Sequence, residues 1–578
     1  MIALTFDCEL PKQANAVFIF DLFFSIAGLP YKIISKDSVN KKKYSIIINY
    51  GGTLSENFKK FVESGGFLIN ITNFQDIGDI STKKQKKGNS SDKPIPKNFF
   101  IKLNKKIPYY FPSQSLENSS EKTLYYLEDR THPAVTLGEL GKGILIKISI
   151  DIISSAFYIL FQREFVNKEK NEQSSHFIIN EYANLLQEVV LLGSRMKNIP
   201  LIQKILWPKG IKFVACIAHD IDWFNKWKLG LFELITQLWR SKKLFFNLKP
   251  KDALNDFISV MRIVLMRDEM SEAISKVLEM EDNLGVRSSF YFYGNIIPRF
   301  RFWIKNGDKS YDSFENSSLI KVISELGREI GLHGSYNSYE NDEILSSEKQ
   351  ILERVIGKKI LGIRQHCQKF NLSKTWKMQE NSNFIYDVTR MDTEICHPFR
   401  GFYLKENNSF ELIEIPLTIM DEPLTKYANP NILSRKRRQF IDEIKLLVDE
   451  VNRLNGVIVI LWHPFEKYQG CLSAYREILK YLKKSGAYIA TCGELVDWWN
   501  KHRFLQFIDA KKGQNCFEWR IRSRKTMRNL CFKILNSKGT ISITGIDDWK
   551  LIRRKNIDYL NISELKASKE ITLLCSTG

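Results

Sequence analysis

Long apolar runs, paired cysteine motifs and a secretory leader are all missing from this sequence. The longest apolar stretch, Ala16 to Leu29, is interrupted by Asp21 and is too short to cross a bilayer. The start, MIALTFDCEL, has no cationic region followed by a cleavable apolar core, which predicts no secretory signal. Nine cysteines without CxxC spacing indicate reduced thiols rather than a disulfide framework. We therefore expect a cytoplasmic protein.

Length and charge define the broad class of protein. The chain has 578 residues, too many for one hydrophobic core, which predicts roughly two to four domains. With 44% hydrophobic and 26% charged residues it is typical of globular proteins. The 86 Lys and Arg against 65 Asp and Glu give a net charge of +21, which favours acidic or membrane-surface partners unless these cations are simply spread over a large surface. No cluster resembles a nucleic-acid-binding module, so nucleic acid is not an expected partner.

One apolar segment, FVACIA at 213–218, ends abruptly in His219, Asp220 and Asp222. Such a run is typical of a strand that is covered on both faces. A core does not accept unpaired carboxylates, so the polar cluster is predicted at an open strand end. A single Asp in this place is usually a helix N-cap or a turn. Two acids one residue apart, however, perturb each other unless a cation or an arginine intervenes, which indicates a metal site or a general base.

The same pattern recurs four times further along the chain. SSFYFYGN ends at Asn295, and EIGLHGSYN contains His333. ILGIRQH contains Arg364 and His366, and GVIVILWH ends at His463. Segments with helical periodicity lie between these runs, at 270–284, 317–327, 345–356 and 432–454. Alternating strands and helices predict parallel strands, and catalytic groups gather at the carboxyl ends of such strands.

In these motifs and their order, residues 205–505 resemble the polysaccharide deacetylase family, also called the NodB-homology or carbohydrate esterase 4 fold. The matching motifs are AHDID at 218–222, FYFYGN at 290–295, GLHGSYN at 331–337, GIRQH at 362–366 and LWH at 461–463. EIPLTIMD at 414–421 resembles a segment of a divergent branch linked to surface-polysaccharide clusters. The resemblance implies an α/β fold, a deformed (β/α) barrel of the NodB-homology type.

The resemblance also implies a chemistry. It is that of a metal-dependent hydrolase that removes N-acetyl or O-acetyl groups from sugars of a surface polysaccharide or its precursor. Asp220 would be the base, kept ionised by Arg364, and His463 would be the acid that protonates the leaving amine. Asp222 and His333 are the implied ligands of a divalent metal, expected to be zinc. A carbohydrate is the expected partner, and the oligomeric state is not indicated.

The metal motif departs from the family pattern at Asn337, where the family has its second histidine. A catalytic zinc site takes three protein ligands, so this chain lacks one unless another residue substitutes. His366 follows Arg364 by two positions, and both can point into the barrel mouth. We predict His366 as the third ligand, with hydrogen bonding to substrate or to a backbone carbonyl as the alternative. Asn337, a weaker candidate ligand, is predicted to contact the substrate together with Tyr336 and Trp462.

Two further alternatives remain open. Because of the departure at Asn337, the barrel would also suit a non-catalytic glycan-binding or assembly protein without a metal. From Trp223 to Lys249, aromatic residues mix with cations, which suits a saccharide platform, an interfacial helix at anionic headgroups, or an amphipathic helix packed on the barrel. A peripheral membrane association is therefore an alternative to a purely cytoplasmic location.

The regions on either side of the barrel are predicted to be separate domains. Residues 1–200 are expected to form an α/β domain of unknown role, with a solvated loop at 81–96. LTFDCE at 4–9 echoes the deacetylase Asp motif, but no acidic or histidine partner follows, and we interpret it as a decoy. Residues 506–578 contain short alternating runs such as CFEWRIR, which predict a small β-rich domain that binds glycan or braces the barrel.

Overall fold

The protein consists of two compact units. In the computed structural model, residues 211–498 form one unit, and residues 1–210 together with 499–578 form the other. The residues described are 1–7, 12–39, 43–51, 54–72, 97–101, 105–110, 121–162, 177–208, 211–222, 269–296, 311–314, 316–421, 430–464, 471–514, 516–554 and 557–576.

Residues 1–210 are built around a nine-stranded sheet with helices packed against it. Its strands are β1 Ile2–Phe6, β2 Tyr31–Ile33, β3 Ile46–Tyr50, β4 Phe67–Ile71, β5 Lys97–Ile101, β6 Lys105–Tyr109, β7 Lys122–Leu127, β8 Pro133–Leu140 and β9 Gly143–Ile148. The helices are α1 Lys12–Ala27, α2 Glu56–Glu63, α3 Ile152–Phe161 and α4 Ile178–Met196, and a further strand, β10, follows at Leu201–Lys204. The strand order is β2-β1-β3-β4-β9-β8-β7-β5-β6, with the first five strands parallel.

Local sequence accounts for these elements. The run IIINY of β3 is buried at every position because it lies inside a parallel sheet. Helix α3 begins after Asp151, whose carboxylate accepts a hydrogen bond from Ser154 N at 2.9 Å and so caps the helix. Asp7, in the segment interpreted as a decoy, forms an ion pair with Lys36. The predicted loop at 81–96 lies outside the described residues.

Residues 211–498 contain the predicted alternation of strands and helices. The strands are β11 Phe213–Ile221, β12 Ser289–Phe292, β13 Asn295–Ile296, β14 Tyr311–Asp312, β15 Glu329–Gly334, β16 Gly362–Gln365, β17 Tyr386–Asp387, β18 Phe399–Tyr403, β19 Asn408–Glu414, β20 Ile419–Met420, β21 Val457–Leu461 and β22 Ala487–Ala490. The helices are α5 Glu269–Leu284, α6 Ser317–Glu325, α7 Asp342–Ile356, α8 Thr375–Asn381, α9 Pro430–Arg453 and α10 Cys471–Lys484, and a last helix, α11, is at Cys492–Phe504.

The strands of this unit form a deformed barrel. Their order is β18-β19-β17-β16-β15-β12-β11-β21-β20, and all neighbours pair in parallel except β18 with β19. An isolated parallel bridge between Met391, just after β17, and Leu417 extends the pairing of β17 with β19 into the segment that leads to β20, which pairs with β21. The α/β class predicted from the sequence is therefore confirmed, and the carboxyl ends of the parallel strands lie at one rim.

Two glycines make room for tyrosine rings inside the barrel. A Cβ atom on Gly331 would lie 2.5 Å from the ring of Tyr291, and one on Gly362 would lie 1.9 Å from the ring of Tyr386. Both tyrosines are fully buried. The interior is therefore packed, like other protein cores, and chemistry is confined to the rim.

The C-terminal strands do not form a domain of their own. They are β23 Leu505–Lys512, β24 Cys516–Ser523, β25 Met527–Leu535, β26 Ile541–Thr544, β27 Trp549–Arg554, β28 Ile557–Leu565 and β29 Glu570–Ser576. One sheet has the order β23-β24-β29-β26 and the other β10-β25-β28-β27. Because β10 pairs with β25, with Leu201 opposite Leu535, residues 499–578 belong to the same unit as residues 1–210. The sequence had predicted separate domains at 1–200 and 506–578; a strand as short as β10 gave no signal of this pairing.

The helices and strands of the described residues do not test the predicted membrane association. Within the described ranges, no helix combines the length and the apolar character that crossing a bilayer requires. The aromatic and basic segment from Trp223 to Lys249 lies outside the described residues, so its predicted contact with a membrane surface or a saccharide stays a prediction.

Candidate active site

Ionisable side chains gather at the carboxyl rim of the barrel. Asp220 and Asp222 come from the end of β11, and His333 comes from β15. Arg364 lies on β16, and His463 follows β21. These strands are parallel and lie side by side in the sheet, so their ends meet at one rim. The side chains of Asp222 and His463 remain 27% and 16% exposed, which opens the site to solvent.

Three of these groups form a cluster that suits a metal ion. Ligand atoms of Asp222, His333 and His366 all lie within 4.8 Å of one another. His333 Nε2 is 3.2 Å from Asp222 Oδ1 and 3.2 Å from His366 Nδ1, and the third side of the triangle is 3.6 Å. Ligands bound tetrahedrally to zinc at about 2.0–2.1 Å lie about 3.3–3.4 Å apart. The three donor atoms therefore already have the spacing of a zinc site.

The hydrogen bonds of the histidines point to a cation in this cluster. His333 Nδ1 donates to the carbonyl oxygen of Arg364 at 2.9 Å, which fixes the ring orientation and, in the neutral ring, leaves a lone pair on Nε2 facing Asp222. Lone pairs at such distances repel unless a proton or a metal ion lies between them. Burial lowers the pKa of His366, but the hydrogen bonds and charges of Asp222 and Cys367 together outweigh burial and raise the pKa to about 10. Without a metal, a proton holds the cluster together.

Asp220 is placed as a general base. Its Oδ2 accepts a hydrogen bond from Arg364 Nε at 2.7 Å, and both side chains are 3% exposed. Burial alone would raise the pKa of Asp220, but Arg364, His333 and His463 outweigh burial and lower it. The other oxygen, Oδ1, is buried and has no hydrogen-bond partner among the described residues. Asp220 is thus an ionised carboxylate with one oxygen available to accept a proton.

His463 is placed as a general acid. Its Nδ1 donates to Asp421 Oδ1 at 2.6 Å, and its backbone N–H donates to Asp421 Oδ2 at 2.9 Å. Nε2 faces the metal cluster, 3.8 Å from Asp222 Oδ2. Burial lowers the pKa of His463, but the charge and hydrogen bond of Asp421 together with the charges of Asp222 and Asp220 outweigh burial and raise the pKa to about 9. Sequence reasoning gave Asp421 no role, although it ends the quoted segment EIPLTIMD.

The predicted substrate contacts separate into two groups. Tyr336 and Asn337 are partly exposed, and the Lys369 ammonium lies 4.5 Å above the Tyr336 ring. Trp462, in contrast, is 1% exposed and stacks on Tyr475 with ring centroids 5.1 Å apart. Since side chains alternate along a strand, Trp462 points away from the side that His463 occupies. Trp462 is therefore packed away from the open rim in this structure, and its contact with substrate stays a prediction.

Several known proteins are similar to this chain. A candidate polysaccharide deacetylase from Mycobacterium smegmatis is 17% identical, with a TM-score of 0.35, over 52% of this chain and 94% of that one. A probable polysaccharide deacetylase from Pseudomonas aeruginosa PAO1 is 13% identical, with a TM-score of 0.35, over 51% and 93%. A CE4 family pseudoenzyme from Bacillus anthracis is 14% identical, with a TM-score of 0.27, over 50% and 67%. They belong to the family that the motifs resemble, although likenesses with these TM-scores decide neither fold nor function.

Comparison of the amino-acid sequence with known families and proteins adds little to these structural similarities. The sequence matches no family model. A candidate competence-damage inducible protein of Listeria monocytogenes serovar 1/2a is 36% identical in an alignment 107 residues long that covers 17% of this chain. The chain spans about a quarter, 26%, of the length of that curated relative.

Proposed function

We propose that the protein is a metal-dependent hydrolase that removes acetyl groups, N-linked or O-linked, from sugars of a surface polysaccharide or its precursor. The observation that carries the proposal is the placing of an ionised base and a protonated acid beside one cluster of metal donors. Asp220 has an oxygen free to accept a proton, and His463 Nε2 faces the same cluster. A reaction that takes a proton from water and gives one to a leaving amine or alcohol requires this pairing.

Each side chain has a separate part in this chemistry. Asp222, His333 and His366 would hold a divalent ion, which we expect to be zinc and which, when bound, polarises the acetyl carbonyl and activates water. Asp220 accepts the proton of the attacking water. Arg364 keeps Asp220 ionised and oriented by a charge-assisted hydrogen bond. His463, held by Asp421, protonates the departing nitrogen or oxygen.

The sugar part of the proposal rests on the family motifs and on the partly exposed Tyr336 and Asn337 at the rim. The decisive experiment measures bound metal and acetate release on the purified protein. N-acetylated chito-oligosaccharides and O-acetylated xylan distinguish amide from ester cleavage. We expect one metal ion per chain and chelator-sensitive acetate release, reduced about 10³-fold in Asp220→Asn. Glu343→Gln, on an exposed acid at the start of α7, is the control that should keep full activity.

A different outcome would favour the second candidate. The specific observation behind it is Asn337, which stands where the family has a metal-binding histidine. If the protein binds saccharide equally with and without chelator and releases no acetate, it is a glycan-binding or assembly protein on a deacetylase scaffold.

A further inference from the structure

Tyr293 lies against the metal cluster, although the sequence gave it no role. It directly follows β12 and is 2% exposed. Its hydroxyl oxygen is 2.5 Å from His366 Nδ1. Its ring packs on the imidazole of His333, with centroids 4.5 Å apart. The hydroxyl therefore contacts the same nitrogen that faces the other two members of the cluster.

The register of the sheet explains this position. Tyr291, earlier on the same strand, pairs with Asp220 on one side and with Gly331 on the other. Side chains in one row of a parallel sheet point to the same face, and the next residues on that face are two positions further on. Tyr293 therefore reaches the rim at the level of His333, with its ring on the inner side of the barrel.

The contact differs from the usual support of a metal-binding histidine. A supporting group normally binds the ring nitrogen that points away from the metal. Here the Tyr293 oxygen contacts Nδ1, the nitrogen of His366 that lies 3.2 Å from His333 and 3.6 Å from Asp222. At 2.5 Å the two atoms share the proton of a hydrogen bond. Two ligands of one zinc ion lie about 3.3–3.4 Å apart, so an ion bound to both would replace this proton only if the oxygen and the nitrogen moved apart by roughly 0.8 Å.

Tyr293 cannot easily withdraw when an ion takes His366 Nδ1. Its ring is buried against His333, and its backbone carbonyl accepts a hydrogen bond from Ser313 Oγ at 2.5 Å. The next residue, Gly294, lies so close to α7 that a Cβ atom there would be 2.5 Å from the backbone oxygen of Glu348. The backbone that carries Tyr293 is thus fixed from two sides, and the hydroxyl stays beside the ion.

We propose that the Tyr293 hydroxyl oxygen is the fourth protein donor of the metal site, together with Asp222, His333 and His366. The inference rests on the proposed metal site and extends it. On binding, the O–H bond of Tyr293 breaks, a bond from the phenolate oxygen to the ion forms, and the proton leaves to solvent. Zinc can expand to five ligands during hydrolysis, so this set still leaves one position, for the water or for the substrate oxygen.

A phenolate donor has a spectroscopic signature that does not depend on activity. Phenolate bound to Cu(II) gives a charge-transfer band in the visible range, whereas carboxylate and imidazole do not. The experiment titrates the metal-free, full-length protein with one equivalent of Cu(II) and records the visible spectrum. We expect the band in the unaltered protein and its loss in Tyr293→Phe, which should bind Cu(II) about 10- to 100-fold more weakly.

Tyr291→Phe is the matched control. Tyr291 is equally buried, on the same strand and the same face, but its hydroxyl faces that of Tyr386 at 3.5 Å instead of the metal cluster. This variant should keep both the band and the affinity. If Tyr293→Phe does not fold, the spectra of the unaltered protein and of Tyr291→Phe decide the inference. The band in both supports it, and loss of the band in Tyr291→Phe overturns it.

The possible failures can be told apart. Stoichiometric Cu(II) binding without the band overturns the inference and leaves the proposed metal site intact. Equal or tighter binding by Tyr293→Phe also overturns it, because the hydroxyl would then be a competitor for His366 rather than a ligand. A protein that binds no ion overturns the inference and the metal-dependent function together.

Discussion

Strand β11 carries ionisable groups on both of its faces, and the two groups differ in their hydrogen bonding. On the outer face, His219 Nδ1 donates to the carbonyl of Trp462 at 2.6 Å, and its Nε2 donates to Glu281 at 2.9 Å. Glu281 also accepts from Tyr475 at 2.6 Å and from Arg328 at 3.4 Å. Both nitrogens of His219 have hydrogen-bond partners, and Glu281 also pairs with Arg328, so the polar groups of this outer cluster have buried partners.

On the inner face, the same residue types are arranged differently. Asp222 Oδ1, His333 Nε2 and His366 Nδ1 all face one another, and each is an acceptor in its neutral or ionised form. The donors and acceptors of the outer cluster are matched as they stand, whereas the three inner atoms are matched only when a proton or a metal ion lies among them. The balance of donors and acceptors, rather than burial or residue type, therefore distinguishes a structural cluster from a candidate metal site.

The largest effect is expected from removing an inner-face histidine. His333→Ala and His366→Ala should each lower the bound metal to background and abolish acetate release, because each leaves only two of the three ligands of the triad. Metal content measured on the purified variants tests this. Full metal content in His366→Ala would show that His366 is not a ligand.

Loss of the acid should reduce catalysis without removing the metal. His463→Gln is expected to lower kcat about 10²- to 10⁴-fold, the usual contribution of a positioned acid or base. Metal content should be unchanged, because Nε2 is 3.8 Å from Asp222 Oδ2 and outside the triad. Parallel loss of metal and activity would contradict the assignment.

The outer cluster should respond in stability and not in metal binding. Glu281→Ala leaves the buried His219 and Arg328 without their shared carboxylate, which should cost about 3–5 kcal/mol in the free energy of unfolding. Urea denaturation measures this, with Glu279→Ala, an exposed position on the same helix, as the control. Altered affinity for zinc in a folded Glu281→Ala protein would contradict the assignment of the outer cluster to stability alone.

Lowering the pH should also weaken the outer cluster. The loss of stability should be smaller than in Glu281→Ala and confined to pH values below 4.5. Burial would raise the pKa of Glu281, but hydrogen bonds from His219, Tyr475 and Ser288 outweigh it and lower the pKa below 4.5. A lowered pKa means that this contribution to stability is complete above pH 4.5 and is lost as the pH falls through the folded-state value. Below pH 4.5, the unaltered protein should lose stability more steeply than Glu281→Gln. Parallel slopes would contradict the assignment.

The smallest effect is expected at Asn337. Asn337→Ala should change metal affinity less than about threefold, because His366 already completes the three-donor triangle. Isothermal titration with zinc provides the measurement. A loss comparable to that of His366→Ala would make Asn337 a ligand and His366 a neighbour.

The strand ends were predictable from sequence because parallel strands place their carboxyl ends at one rim whatever the loops do. Asp222, His333 and His366 meet there for that reason. The same alternation, applied to LWH, would have shown that Trp462 and His463 cannot face the same side. The partners of the site were less predictable: Asp421 and Tyr293 come from other strands, and only three-dimensional register brings them to His463 and His366. Strand β10 was missed because four residues carry almost no periodic signal.

That short strand has a consequence for how the chain is made. Leu201 pairs with Leu535, so β10 leaves the ribosome long before its hydrogen-bonding partner β25 exists. At typical elongation rates the delay is on the order of tens of seconds, and most of it passes while residues 211–498 are themselves being made. During that interval β10 has no β25 to pair with, so its edge is temporarily open to pairing with another chain.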